Sequence, residues 1–272
     1  MPNPPKISAN ELARFLVSKP TTQVSIVKNA KYPQKAPIIR YSDARRATVE
    51  YLTDMSRSIS PLVAAEQMLL QRSVDPAEGP LRQDDATKSI EVIRAIQDMS
   101  NQLSGFNFEP APKKQEKLIV EGVHISVYAD FIARGQDKGV EQIGASMLRM
   151  TQDDASTDAA KQKRKNMGLY VATLLRLHVD QNLSGNYTPA SRLCMSIDVQ
   201  HGEAFPAPKA MTQRTKDIAE RMPVYLRPLA YAVNASSVLI AGDVWGSCLV
   251  ILLSFPILWR PTACANCQPF AD

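Results

Sequence analysis

Two aspartates lie where a carboxylate could meet a metal ion. Asp130 closes the segment Tyr128-Ala129-Asp130 within a run rich in Val, Ile, Tyr and Phe, and Asp198 interrupts the otherwise apolar stretch from Leu193 to Val199. Carboxylates are hard oxygen donors suited to Mg²⁺, and these two would serve one cleft if their strands brought them together. A second group is cationic: Lys161, Lys163, Arg164 and Lys165 open a helical pattern. Cations at a helix N-terminus oppose its dipole. The cluster therefore reads either as a phosphate contact, with backbone N–H groups and basic side chains facing one anion, or as a solvated turn offset by Asp153, Asp154 and Asp158.

Other reactive side chains lack partners at useful spacing. His124, His178 and His201 are scattered; His178 falls among core leucines, and His201 lies in Gln200-His201-Gly202-Glu203, which reads as a hairpin turn. No pair has metal-ligand spacing, and no Ser or Cys is set in a nucleophile elbow. Cys264 and Cys267 form an isolated CxxC without a second pair or a matching histidine, so they make no zinc or redox motif.

The elements that would position these residues follow from periodicity. Ser8 and Glu11 have capping-box spacing, with Leu12, Phe15 and Leu16 on one helical face. Lys28 to Pro37 holds two prolines and reads as a loop. Helices are expected from Ser42 to Arg57, Pro61 to Arg72 and Asp84 to Leu103, the last with Ile90, Ile93, Ile96 and Met99 at three- and four-residue spacing. Gly105 to Lys114 ends the helical part. The period then changes: Leu118–Val120, Ile125–Ile132 and Ile143–Met150 suit strands, with a turn at Gly135–Gly139. Lys161 to Leu183 is the clearest helix of the chain, with a wide apolar stripe from Met167 to Val179. A strand pair is expected within Arg192–Phe205, then a short polar helix from Lys209 to Arg221. The fold class is thus α+β: a helical N-terminal half (1–110), a mixed sheet with a long crossover helix (111–222), and an apolar C-terminal tail (223–272).

Strand, turn, strand, helix, strand is also the core order of the PD-(D/E)XK nuclease-like families, and residues 117–206 resemble it. In that resemblance Tyr128-Ala129-Asp130 matches the first acidic position, which implies that Asp130 is a Mg²⁺ ligand. The next strand, Ile143-Gly144-Ala145-Ser146-Met147-Leu148-Arg149, has no acid-x-lysine; Glu141 precedes it and Arg149 is its only cation. The resemblance implies a degenerate, non-catalytic copy of the fold, associated with nucleic acid through Lys161–Lys165. Its catalytic alternative is a Mg²⁺-dependent phosphodiesterase that uses Asp130 and Asp198, with Arg149 in place of the missing lysine.

The end of the chain differs from the rest. From Leu229 to Asp272 only Asp243, Arg260 and Asp272 are charged, although the whole chain carries 32 Lys and Arg and 27 Asp and Glu, for a net charge of +5. Val238 to Trp259 could span a membrane at ~1.5 Å per residue. Arg214, Lys216, Arg221 and Arg227 before it would keep the preceding residues on the cytoplasmic side. Gly242, Gly246 and Pro256 suit a buried element instead, and the clustered Cys and Trp suit a tail foreign to the fold, as a frame change would leave. The opening residues MPNPPKISANELARF contain no apolar segment behind a basic start, so no secretory signal and a reducing, cytoplasmic setting are expected.

Overall fold

The computed structural model describes residues 6–32, 38–150 and 155–223. Strand β1 (Lys6–Ser8) runs straight into α1 (Ala9–Leu16), where the Ser8 hydroxyl accepts the Glu11 amide at 3.2 Å and so caps the helix as its spacing predicts. Helix α2 (Pro20–Lys31) extends into the segment read as a loop. It buries only Ile26 and Val27, too few for a periodic signal. Helices α3 (Ser42–Thr53), α4 (Ser60–Val74), α5 (Pro80–Asp98) and α6 (Ser100–Leu103) follow. Helix α3 stops short of Arg57 because the Asp54 carboxylate takes the amides of Ser56 and Ser58 and folds the chain into a turn.

The strands are β2 (Asn107–Pro110), β3 (Leu118–Val120), β4 (Val123–Ser126), β5 (Phe131–Asp137), β6 (Val140–Arg149), β7 (Thr188–Pro189), β8 (Met195–Asp198) and β9 (Glu203–Pro206). Helix α7 (Asp158–His178), continued by one π-helical turn at Val179–Leu183, crosses between β6 and β8. Strand β2 occupies the stretch expected only to end the helical half. The β5–β6 hairpin turns through Lys138 and Gly139, both at positive φ (49° and 81°), which is the two-residue turn whose twist matches the strands.

The larger sheet has the order β2-β5-β6-β8-β9, with β7 beside β6. β5 is antiparallel to β6, β8 is parallel to it, and β9 returns antiparallel to β8. The smaller sheet, β1-β4-β3, pairs β1 parallel to β4. Alternation along β6 divides the core. Ile143, Ala145 and Met147 face α1 and α7, whereas Leu148 and Met150 lie in a second core with buried residues of α3, α4 and α5. The fold is therefore α+β, with the sheet between two helical layers. Residues 1–110 and 111–222 are joined through both cores and through the β1–β4 and β2–β5 pairings. Residues 212–223 are helical and bury Ile218 and Met222.

The possible membrane span at 238–259, and the choice among anchor, buried element and foreign tail, fall outside the described residues. Among the described residues, no helix is long and apolar enough to cross a membrane.

Candidate functional site

Asp130 lies just before β5, where its amide donates to the Ser146 carbonyl (2.8 Å) and fixes it beside β6. Its carboxylate takes the Leu148 amide at 2.8 Å. Arg45, from α3, places one guanidinium nitrogen 2.6 and 2.7 Å from the two carboxylate oxygens and another 3.1 Å from the Leu148 carbonyl. Acid and guanidinium thus engage the N–H and the C=O of the same residue, Leu148. The Asp130 side chain is 10% exposed and that of Arg45 39%. These residues do not fit Mg²⁺: among the described residues no second acid lines the depression beside Asp130, and a cation already bonds both of its oxygens.

Asp198 belongs to a different network. β5 and β8 flank β6 on opposite sides, so Asp130 and Asp198 are two strand spacings apart, ~10 Å between backbones. Asp198 is buried, 3.5 Å from Arg149 and 3.0 Å from His201 Nδ1. The structure thus brings Asp198 together with Arg149 and leaves Asp130 elsewhere, each carboxylate committed to its own cation. Burial holds the Arg149 pKa below its ordinary value, partly opposed by Asp198 and aided by the like charge of Arg164. Its Nε and Nη1 are buried with no hydrogen-bond partner among the described residues. A guanidinium this enclosed cannot reach a substrate in place of a lysine.

The basic cluster of α7 also divides. Arg164 turns inward and donates to the Ala155 carbonyl at 2.6 Å, while Lys161, Lys163 and Lys165 are exposed. Thr157 caps the helix, with Asp158 in its first turn and 3.8 Å from Lys161. Lys163 lines a depression of about 630 Å³ with Tyr170, Arg214 and Asp217. Burial, and then donation to Asp217 at 2.9 Å, pushes the Tyr170 hydroxyl up to about 12.

His178 is a buried core residue. Its pKa is lowered to about 4 by desolvation. Buried Cys194, its thiol pushed up to about 12 mainly by desolvation, is not a nucleophile.

A groove that spacing did not suggest runs along the β1–β4 edge. Parallel pairing sets Ser8 opposite Ser126, and these two residues are shared by adjoining depressions. One, of about 560 Å³, is lined by Lys6, Arg14, Asn29 and Lys117; the other, of about 350 Å³, by Asn10, Arg45, Tyr128 and Asp130. Lys117 donates to the Ser126 hydroxyl at 2.6 Å and to the Tyr128 hydroxyl at 3.2 Å. Among the described residues, four cations therefore meet two carboxylates, Glu11 and Asp130, and both acids are paired, with Arg14 and Arg45. Sequence reasoning found Asp130 and missed the rest, because Lys6, Arg14, Arg45 and Lys117 come from four separate parts of the chain. No family model, curated protein or solved structure matches this chain.

Proposed function

We propose that this protein binds nucleic acid in the β1–β4 groove and does not cut it, on a degenerate nuclease-like core. The observation that carries the reading is the Arg45–Asp130 pair. Where the nuclease-like resemblance implies a metal ligand, a guanidinium neutralises the acid, and a surplus of cations lines the groove beside it. A polyanion gains from that surplus by releasing its counterions. With the Asp130 carboxylate paired to Arg45 and that of Glu11 to Arg14, neither acid among the described residues of the groove is left to activate water. The order β2-β5-β6, crossover helix α7 and parallel β8 supports the nuclease-like part of the reading.

Binding of labelled oligonucleotides followed by fluorescence anisotropy across a salt series tests this. Affinity is expected to fall with salt at a log–log slope of about −2 to −4, as roughly three to four phosphate contacts would give. Reversing charge at Arg14 and Lys117 should weaken binding, whereas Lys161→Glu with Lys163→Glu should change it little. Added Mg²⁺ should produce no cleavage. Absence of binding at low salt, or Mg²⁺-dependent hydrolysis, would overturn the proposal.

A further inference from the structure

The geometry points to a single-stranded ligand with one base stacked on Tyr128; this rests on the nucleic-acid reading of the same groove. Tyr128 lies between the end of β4 and Asp130, on the wall of the smaller depression, and the residue is 54% exposed. An aromatic ring left in water at the lip of a polar groove gains area when a flat partner covers it. Other large exposed side chains, such as Met55 and Ile39, lie outside this groove.

The ring is also held in place. Lys117 bonds its hydroxyl, and the same ammonium lies 5.0 Å from the ring centroid while donating to Ser126. Aromatic platform and cation are thus one preorganised unit. A base on the ring would bring its own phosphate next to Lys117, with Arg14 and Lys6 further along the groove. Ser8 and Asn10, a hydroxyl and an amide, line the same depression. A duplex cannot use this arrangement, because its bases are already stacked and paired inside a convex surface. The smaller depression, at about 350 Å³, lies at the low end of the range for small-ligand pockets, ~300–1,000 Å³, which suits one unstacked nucleotide.

The experiment compares a twelve-residue single strand, the matching duplex and an abasic strand of the same length. Each is titrated against the full chain and against Tyr128→Ala and Tyr128→Phe. The single strand should bind about tenfold more tightly than the duplex. Tyr128→Ala should weaken single-strand binding by roughly five- to a hundredfold, the range of a lost base–aromatic stack. Tyr128→Phe, which keeps the ring, should stay within about threefold of the parent. The abasic strand should bind weakly and ignore Tyr128→Ala. Equal affinity for all three ligands, unchanged by Tyr128→Ala, would overturn this inference yet leave a backbone-binding groove. Failure of every ligand to bind would remove the nucleic-acid reading itself.

Discussion

At the scale of single residues, Asp130 shows how far a strand-end acid can be read from sequence. The change of hydrophobic period marked the strand region around it, but the single strand expected at Ile125–Ile132 is divided: β4 ends at Ser126, β5 begins at Phe131 in the other sheet, and Asp130 lies in the break between them. Its partner was not legible, because Arg45 lies 85 residues earlier, and no spacing rule links a half-buried helical arginine to an acid between two strands. If the pair holds the N–H and C=O of Leu148 as described, Asp130→Ala leaves a guanidinium and an amide without their acceptor. That should cost roughly 2–3 kcal/mol in chemical denaturation. Arg45→Ala combined with Asp130→Ala should cost less than the two single changes together; strict additivity would show that the two side chains do not act as a unit. His178 gives a pH signature. Its folded pKa of about 4 lies below the unfolded value near 6.5, so between those values the unfolded chain binds the extra proton. Stability from this group is therefore intact above pH ~6.5 and lost as pH falls towards 4, by up to about 3 kcal/mol. The Asn182 amide meets Nδ1 at 2.9 Å. His178→Gln should flatten the difference between stabilities measured at pH 7 and pH 4.5; an unchanged difference would assign it to other groups.

Hydrophobic patterning rather than length decided which elements were legible: β3, of three residues, was read with its observed bounds, whereas α2, of twelve, was read in part as a loop. The stripe from Met167 to Val179 identified α7 because that helix is enclosed on several sides, with five consecutive residues, Val171–Leu175, buried. Strands β1, β2 and β7, of three, four and two residues, contain too little alternation to announce themselves, and they are joined to the sheets by partners far away in sequence. The packing of α7 on β9 makes a sharp prediction. A Cβ at Gly168 would lie 2.3 Å from Phe205 Cδ2 and 2.8 Å from Cγ, closer than real contacts permit. Alanine gains ~1 kcal/mol of helix propensity, but overpacking against a ring anchored on a strand costs ~1–3 kcal/mol. Gly168→Ala should therefore be neutral at best and typically destabilising by about 1–2 kcal/mol. Adding Phe205→Leu should recover part of the loss, and a clear gain in stability from Gly168→Ala alone would refute the contact.

For the whole molecule, charge and topology divide the labour. The groove gathers cations from β1, α1, α3 and the segment before β3, which only the finished fold brings together. The parallel β1–β4 pairing has a further consequence, for the order of events during synthesis. Lys6 pairs with His124, and the core that receives α1 is completed by Val171, Leu175 and Ile218. A ribosome adding ~5–20 residues per second exposes β1 and the apolar face of α1 for many seconds before their partners exist. Loop closure across so many residues is also slow compared with local helix formation. Helices α3, α4 and α5, which pack largely on one another, can collapse first. β1 and α1, made well before their partners, are therefore among the last elements to settle, and the groove they help to line is completed only once the chain has been made at least as far as α7.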